Sequence, residues 1–236
     1  MKIILASASP RRYEILKEHG VDAVVIPSQA DEILPDEVAT RGARAVCTYL
    51  AEQKARAVYE RLDEQGVGAV HEQSDRQGVG AVHEQSDGQE TGTVHARWGG
   101  HGIGAEDLPR LILAADTIVY HGSILGKPKD ADAAFEMLAA LRNRAHEVWS
   151  GVSIIDRPTG KTKTFADVTC VRFGEYPDEE IRRFVREEQP FDKSGSYAIQ
   201  SSWSKNVEAI DGDIENVIGL PWRRIAQSLA GFAPAR

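Results

Sequence analysis

Residues 111–120 read LILAADTIVY, an apolar, β-rich run with one charged side chain, Asp116. The run predicts two short buried strands, at 111–115 and 117–120, with the carboxylate between them. An aspartate inside such a run costs free energy unless it ends a strand or meets a cation or a metal ion. A carboxylate at a strand end that faces a cleft suits metal binding or the activation of water, whereas one that only closes a local turn would be structural.

Helical and β-rich patterns alternate on both sides of this run. Residues 157–161 (RPTGK) have the composition of a hairpin turn between two β-rich stretches. The other predicted elements are helices at 11–19, 36–62, 130–141, 177–188 and 220–229, and strands at 2–7, 124–125, 148–156, 162–173 and 207–210. This alternation, with a hairpin included, predicts an α/β fold with a mixed sheet and flanking helices.

The composition sets limits on the class of protein. With 236 residues, 42% of them apolar and 27% charged, the chain resembles an average globular protein, which excludes collagen-like, disulfide-rich and wholly disordered chains. The formal net charge of −8 gives no bulk attraction to nucleic acid or anionic lipid, so we expect neither as a partner. Any bound anion must therefore be held by a local cluster of cations.

The cysteines and the N-terminus bear on the compartment. Cys47 and Cys170 stand far apart, and their spacing matches no metal-binding motif, so we expect two reduced thiols. Near the N-terminus only residues 3–6 are uniformly apolar, whereas a signal peptide needs about 7–15 such residues. These features predict a cytoplasmic protein.

Residues 62–105 differ in composition from the rest of the chain. Within them, residues 66–89 hold two successive copies of one unit, GVGAVHEQSDRQ and GVGAVHEQSDGQ. Repeats this short, with valine as their only recurrent apolar residue, cannot bury a solenoid core. We therefore interpret 62–105 as a low-complexity loop inserted in one domain that spans residues 1–236. A less favoured alternative is a metal site built from His71, His83 and His95.

Residues 7–12 (SASPRR) stand where the first predicted strand runs into the first predicted helix. Two hydroxyls, the free N–H groups of a helix start and the guanidiniums of Arg11 and Arg12 would converge there, which suits a polyanion such as a phosphate chain. Pro10 fits the first helical position and leaves Ser9 as the N-cap. An ordinary capped helix with two solvated arginines explains the pattern equally well.

Other polar features are less specific when taken singly. The isolated candidates are Asp31 and Glu32 in a loop, Lys54 midway along a helix and Lys127 after a short strand. In the loop at 192–200 (DKSGSYAIQ), Gln200 could bind the edge of a nucleobase while Gly195 allows a close backbone approach. Residues 216–221 (NVIGLP) read as a structural turn before the last helix.

Taken together, these motifs resemble the Maf proteins, nucleotide pyrophosphatases of the septum-formation type. The matching stretches, in family order, are LASASPRR, the Asp31–Glu32 pair, LAEQKA, AADT, ILGKP, HEVWSGV, DKSGSYAIQ and NVIGLP. Apart from residues 62–105 the resemblance runs from the first strand to the last helix. It implies a Maf/ITPase-like α/β fold, in which two lobes on an elongated mixed sheet enclose a cleft, and it implies a homodimer as the common assembly.

The resemblance also implies an activity: hydrolysis of a nucleoside triphosphate to the monophosphate and pyrophosphate, with a divalent cation such as Mg²⁺ or Mn²⁺. By position in the family motifs, Ser7, Arg11 and Arg12 would hold the triphosphate, and Lys54 and Lys127 would neutralise further phosphate charge. Asp116 would be the general base or a metal ligand that activates water, and Glu32 would assist the metal. Substrate choice would be influenced by Arg11, Thr117 and Gln200. Attack of water on a phosphate needs charge neutralisation and in-line positioning, which such a cluster supplies.

Three motif variants narrow the expected substrate. SPRR rather than SPWR, DT rather than DQ, and the YAIQ loop resemble the branch that prefers dTTP and UTP. The alternatives are the same chemistry on another base, such as 7-methyl-GTP or ITP, and a non-catalytic regulator of septation. Both cysteines lie outside every motif, which argues against thiol catalysis. The segment at 62–105 precedes the strand with Asp116 and could alter access to the cleft or dimerisation.

Overall fold

The computed structural model describes residues 1–68 and 108–232. Its helices are α1 (Pro10–Glu18), α2 (Asp36–Ala39), α3 (Ala43–Gly68), α4 (Ala131–Leu141), α5 (Asp178–Glu188), α6 (Ile214–Ile218) and α7 (Trp222–Leu229). Its strands are β1 (Lys2–Leu5), β2 (Asp22–Val25), β3 (Leu111–His121), β4 (Ser123–Leu125), β5 (Ala145–Asp156), β6 (Thr162–Phe173) and β7 (Val207–Asp211). Single 3-10 turns occur at Ser194–Ser196, Ser202–Asn206 and Ala230–Phe232. The predicted α/β class is confirmed.

The strands form one seven-stranded mixed sheet in the order β2-β1-β3-β5-β6-β7, with β4 paired to β3. β1 runs parallel to β2 and to β3, whereas β3, β5, β6 and β7 pair antiparallel. Helices cover both faces of the sheet, because the strands carry apolar side chains on both faces that must be buried. None of the helices in the described parts of the chain combines the length and apolar character that a membrane span needs.

The pairing of β3 has a gap along one edge. β1 pairs with this edge as far as Leu113, and β4 pairs with it from Val119 onward. Among the strands of residues 1–68 and 108–232, none pairs with the edge between these two positions, although β5 covers the opposite edge without interruption. Asp116 and Thr117 lie in the gap, so a cleft can open beside them.

Alternation along β3 directs successive side chains to opposite faces of the sheet. Ile112 and Ala114 belong to the core cluster that α3 covers, whereas Leu113 belongs to the cluster that α1 and α7 cover. By the same alternation, Asp116 falls on the α3 side and Thr117 on the α1 side. Two adjacent residues can therefore interact with two different helices.

The predicted helix at 36–62 is wrong in one respect, because the structure interrupts it. α2 ends at Ala39 and α3 begins at Ala43, and Gly42 between them has a φ of +84°. That left-handed conformation is one that glycine adopts without steric cost, so the chain changes direction there. α3 continues to Gly68, beyond the expected start of the insertion. The rest of the predicted insertion, with His71, His83 and His95 of the alternative metal site, lies outside the described residues.

Three smaller predictions also need correction. The strands expected at 111–115 and 117–120 are one continuous strand, so Asp116 does not end a strand. The four residues of β2 were missed, because a segment so short carries no clear period. The stretch at 216–221 is only partly a turn, since α6 includes its first three residues.

Candidate active site

A cleft of about 760 Å³ opens at the gap beside β3. All the residues to which the family resemblance assigned a role line it: Ser7, Arg11, Arg12, Glu32, Lys54, Asp116, Thr117, Lys127 and Gln200. Asp31, the neighbour of Glu32, does not line it. With Lys193 and Asp192 added, the lining holds five cationic side chains and three carboxylates. A protein with a net charge of −8 thus has a cleft of net positive charge, which favours a polyanion.

Lys54 joins the two acids of the cleft. Its Nζ lies 2.5 Å from Asp116 Oδ1 and 2.8 Å from Glu32 Oε1. Asp116 is 8% exposed, and a carboxylate buried to this degree needs a partner of opposite charge. The hydrogen bond from Lys54 lowers the pKa of Glu32, and Lys127 Nζ, 3.5 Å from Glu32 Oε2, acts in the same direction. Glu32 and Asp116 are thus drawn together around one ammonium group.

The donor set of these two acids fits a divalent cation. Because both carboxylates reach the same nitrogen, the pair already surrounds a position of positive charge. Mg²⁺ usually binds one or two carboxylates and completes its shell with water and substrate phosphate oxygens. In the described parts of the chain, no group of three or more acidic, histidine or cysteine side chains forms a complete metal site. Asp116 and Glu32 thus fit an ion that arrives with a phosphate ligand.

Arg12 is held by three uncharged acceptors. Its Nε donates to the carbonyl of Gly219 at 2.9 Å, Nη1 donates to Ser7 Oγ at 3.1 Å, and Nη2 donates to Thr117 Oγ1 at 3.2 Å. Burial lowers the pKa of Arg12, and the charge of Asp116 opposes that effect. A guanidinium has five N–H groups, so one on each terminal nitrogen is left for a bidentate contact with a phosphate.

The first turn of α1 differs from the sequence prediction in one detail. Ser9 occupies the N-cap position, but its side chain makes no capping hydrogen bond. Instead, the backbone N–H of Ser9 donates to Ser7 Oγ at 3.2 Å, and Pro10 stands at the start of the helix as expected. Ser7 Oγ therefore accepts hydrogen bonds from both the loop backbone and Arg12, and it links the two.

Arg11 and Lys193 add positive charge at the same end of the cleft. Within residues 1–68 and 108–232, Arg11 makes no hydrogen bond or ion pair. Lys193 pairs with the neighbouring Asp192. The pKa of Asp192 is lowered although burial opposes this, because Lys193 and the nearby charge of Arg11 favour the carboxylate. Arg11 thus keeps its donors for a ligand.

The loop that carries Gln200 is fixed to the sheet. Ser194 Oγ accepts from the N–H of Val119 at 3.1 Å and donates to the carbonyl of Leu125 at 2.5 Å. Gly195 has a φ of +69°, and a Cβ there would lie 2.8 Å from Val119. The expected close approach at Gly195 is present, but it is made to β3. Gln200 itself is exposed at the cleft.

Cys47 lies near Asp116 but is chemically quiet. Burial raises the pKa of its thiol to about 12, and the negative charge of Asp116 adds to the effect. A thiol with so high a pKa holds no thiolate at neutral pH. The expectation that thiol chemistry plays no part agrees with this environment.

Sequence reasoning missed Ser150, Asn216 and Gly219. Gly219 supplies a carbonyl to Arg12, and Ser150 Oγ lies 2.8 Å from Thr117 Oγ1. Ser150 in turn donates to the carbonyl of Asn216 at 2.9 Å. Ser150 is a polar residue next to Gly151 within a β-rich stretch, which was the available signal, and the NVIGLP stretch was interpreted only as a turn.

The whole chain is also similar in sequence to known proteins. A family model described as "Maf-like protein" matches residues 2–232. The "dTTP/UTP pyrophosphatase" of Carboxydothermus hydrogenoformans is 34% identical over 97% of this chain and 97% of the relative. The "dTTP/UTP pyrophosphatase" of a Bacillus cereus strain is 36% identical over 98% and 95%, and that of Agathobacter rectalis is 36% identical over 97% and 96%. The chain is thus similar to these proteins over almost its whole length.

Proposed function

The chain belongs to the Maf-like protein family, and on that premise we propose that it hydrolyses dTTP and UTP to the nucleoside monophosphate and pyrophosphate. The enzyme is a hydrolase that acts on the anhydride bond between the α- and β-phosphates. The observation that carries the proposal is the placement of Arg12 and the Lys54-linked acids, Asp116 and Glu32, in one cleft. Relatives at about 35% identity, each named for this activity, support the same substrates.

The cations bind the triphosphate in this proposal. Arg12, already fixed by Ser7, offers its two remaining N–H groups to phosphate oxygens, and Arg11 and Lys127 neutralise further charge. Because the transition state of phosphoryl transfer spreads charge over the phosphate oxygens, positioned cations contribute more to catalysis than a covalent nucleophile would.

Asp116 acts as the general base. Its carboxylate accepts a proton from the water that attacks the α-phosphorus, the α–β anhydride bond breaks, and pyrophosphate leaves. Lys54, 2.5 Å from Asp116 Oδ1, holds the carboxyl group in a fixed orientation. Positioned proton transfer of this kind contributes about 10²–10⁴ in rate.

Asp116 and Glu32 would also hold a divalent cation, Mg²⁺ or Mn²⁺, together with the substrate. When bound, the ion supplies neutralisation of phosphate charge and lowers the pKa of water. Lys54 contacts both acids, so it keeps their mutual repulsion low in the free protein.

Thr117, Gln200 and Arg11 govern substrate choice in the proposal, and the protein acts on free nucleotides in the cytoplasm, as a homodimer. Both cysteines are free thiols, which suits a reducing compartment. Light scattering of the purified chain measures its mass in solution and tests the dimer.

The activity is tested by incubating the protein with dTTP and Mg²⁺ and separating the products. We expect dTMP and pyrophosphate in equal amounts, whereas release of orthophosphate alone would reject this position of cleavage. A panel of dTTP, UTP, 7-methyl-GTP and ITP, ranked by kcat/KM, tests the substrate. A ranking led by one of the last two would reject the proposed bases and keep the chemistry.

A further inference from the structure

The hydrogen bonds behind Arg12 form a relay with a single direction. Ser150 Oγ lies 2.9 Å from the backbone carbonyl of Asn216, which can only accept, so Ser150 donates its one proton there. Ser150 can then only accept from Thr117, 2.8 Å away, and Thr117 must donate its own proton. The lone pairs of Thr117 Oγ1 are left for Arg12 Nη2, which donates to them at 3.2 Å.

The far end of the relay is fixed inside the sheet. Asn216 donates through Nδ2 to the carbonyl of Val148 at 2.9 Å and to Thr169 Oγ1 at 3.0 Å. Thr169 donates to the carbonyl of Asp213 at 2.9 Å. Ser150, Thr169 and Asn216 are all 0% exposed, so water cannot replace a missing partner in this network.

We propose that Ser150 is a positioning residue for phosphate binding: it fixes the Thr117 hydroxyl as an acceptor and thereby sets the orientation of the Arg12 guanidinium. Without an acceptor at residue 150, the Thr117 hydroxyl is free to turn its proton toward Arg12, which has only donors to offer. Arg12 would then lose one of three contacts. The inference rests on the proposed function only in that Arg12 binds phosphate.

The alternative is that Ser150 only satisfies a buried hydrogen bond and adds stability. Ser153 supplies the matched control, because it lies on the same strand, is also 0% exposed, and bonds to Thr164 Oγ1 at 3.2 Å. Neither Ser153 nor Thr164 lines the cleft. Ser150→Ala and Ser153→Ala therefore remove the same group from equal burial, and only the first touches the relay.

The test measures binding of inorganic tripolyphosphate by calorimetry and the KM and kcat for dTTP. We expect Ser150→Ala to weaken tripolyphosphate binding about tenfold, which is about 1.4 kcal/mol, and to raise KM by a similar factor with kcat changed far less. Ser153→Ala should match the wild type in both. Equal binding by the two variants, or no binding by the wild type, would overturn the inference. Binding that follows this pattern without any dTTP cleavage would sustain it and reject only the proposed activity.

A second pair of variants tests the relay at its next link. Thr117→Val keeps the shape and removes the hydroxyl, so it should weaken tripolyphosphate binding as Ser150→Ala does, whereas Thr117→Ser should not. Ser150→Ala should add nothing in the Thr117→Val background, because the relay is already broken. An undiminished effect of Ser150→Ala there would show that Ser150 acts by another route. If Ser150→Ala does not fold, Thr117→Val and Thr117→Ser still test whether the hydroxyl that Ser150 fixes takes part in binding, and equal tripolyphosphate binding by these two variants would overturn the inference.

Discussion

Gly151 of β5 and Cys47 of α3 are in direct backbone contact: a Cβ on Gly151 would lie 2.1 Å from the carbonyl oxygen of Cys47. Gly151 also stands opposite Asp116 in the register of β3 and β5. Because α3 carries Lys54, its close approach to this strand pair is what brings the ammonium group to the carboxylate.

Replacement of Gly151 by alanine should therefore separate α3 from the sheet. We expect a loss of about 1–3 kcal/mol of unfolding free energy from overpacking, and a fall in turnover because Lys54 is displaced from Asp116. Thermal unfolding and kcat are the measurements. Gly231→Ala is the control, since a Cβ there meets nothing within 4 Å. A Gly151→Ala protein with wild-type stability would contradict the contact.

Asp116→Asn should abolish turnover and leave the protein folded. The amide keeps the shape of the side chain but cannot accept a proton from water, so we expect kcat to fall about 10²–10⁴-fold. Lys54 keeps Glu32 as a partner at 2.8 Å, so the change in melting temperature should be small. Product formation from dTTP and thermal unfolding are measured side by side.

Asp156→Asn is the matched control for that variant. Asp156 is 2% exposed and accepts from Arg110 Nε at 2.5 Å and from Thr159 Oγ1 at 2.6 Å, at the opposite end of β5 from the cleft. Its loss of charge should cost about 2 kcal/mol of stability and leave kcat unchanged. If both variants lost activity equally, Asp116 would have no special role.

His146 makes stability sensitive to acid. Burial, with a smaller contribution from His121, lowers the pKa of His146 from 6.5 to about 4. The unfolded state therefore binds a proton between these two values and the folded state does not. Stability from this group is complete above about pH 6.5 and decreases as the pH falls toward 4, by about 3 kcal/mol in total.

His146→Gln should remove this contribution. The difference in unfolding free energy between wild type and variant, measured by urea titration, should shrink between neutral pH and about pH 4.5. A difference that stays constant over that interval would show that His146 is not the titrating group. Tyr197, 2.7 Å from His146 Nε2, lines the cleft, so activity at low pH is a second readout.

Gln200→Ala should flatten the ranking of nucleotides. Its exposed amide, at the end of a loop fixed to β3, can donate to a carbonyl and accept from an N–H on a pyrimidine edge. We expect kcat/KM for dTTP to fall about tenfold more than that for ITP. Gln227→Ala, on the exposed side of α7, is the control. An unchanged ranking would place base selection elsewhere.

Deletion of residues 66–89 should change the melting temperature and turnover very little. The two repeats carry little apolar surface, and the entropic cost of closing a loop grows only slowly with its length. Differential scanning calorimetry and the dTTP assay measure both quantities. A loss of several degrees would show that the segment packs against the rest of the protein.

The sequence predicted the site better than its supports. The apolar run around Asp116 indicated a carboxylate that needs a cation, and the structure provides Lys54. The same run also suggested that Asp116 ends a strand. The local pattern does not reveal that Lys54, a helix residue distant in sequence, supplies the positive charge. Asp116 instead lies inside a continuous strand, opposite an interruption in the neighbouring strands.

Ser150 and Gly219 show why the residues that support the site could not be predicted from the sequence. A buried serine in a strand and a glycine in a turn are common structural residues, and their partners, Thr117 and Arg12, are far away along the chain. Gly42 raised the same difficulty for helix limits, since a single glycine within a helical pattern does not say whether the helix bends or ends.

The uncharged surroundings of Arg12 create a trade-off between thermal stability and catalysis. Its three hydrogen-bond acceptors are a carbonyl and two hydroxyls, so within residues 1–68 and 108–232 this buried cation has no carboxylate in contact with it, and an arriving anion would be its counterion. Laboratory selection for thermal stability alone should therefore favour the early replacement of Arg12. Its retention in natural populations would then reflect selection for nucleotide turnover rather than for stability of the fold.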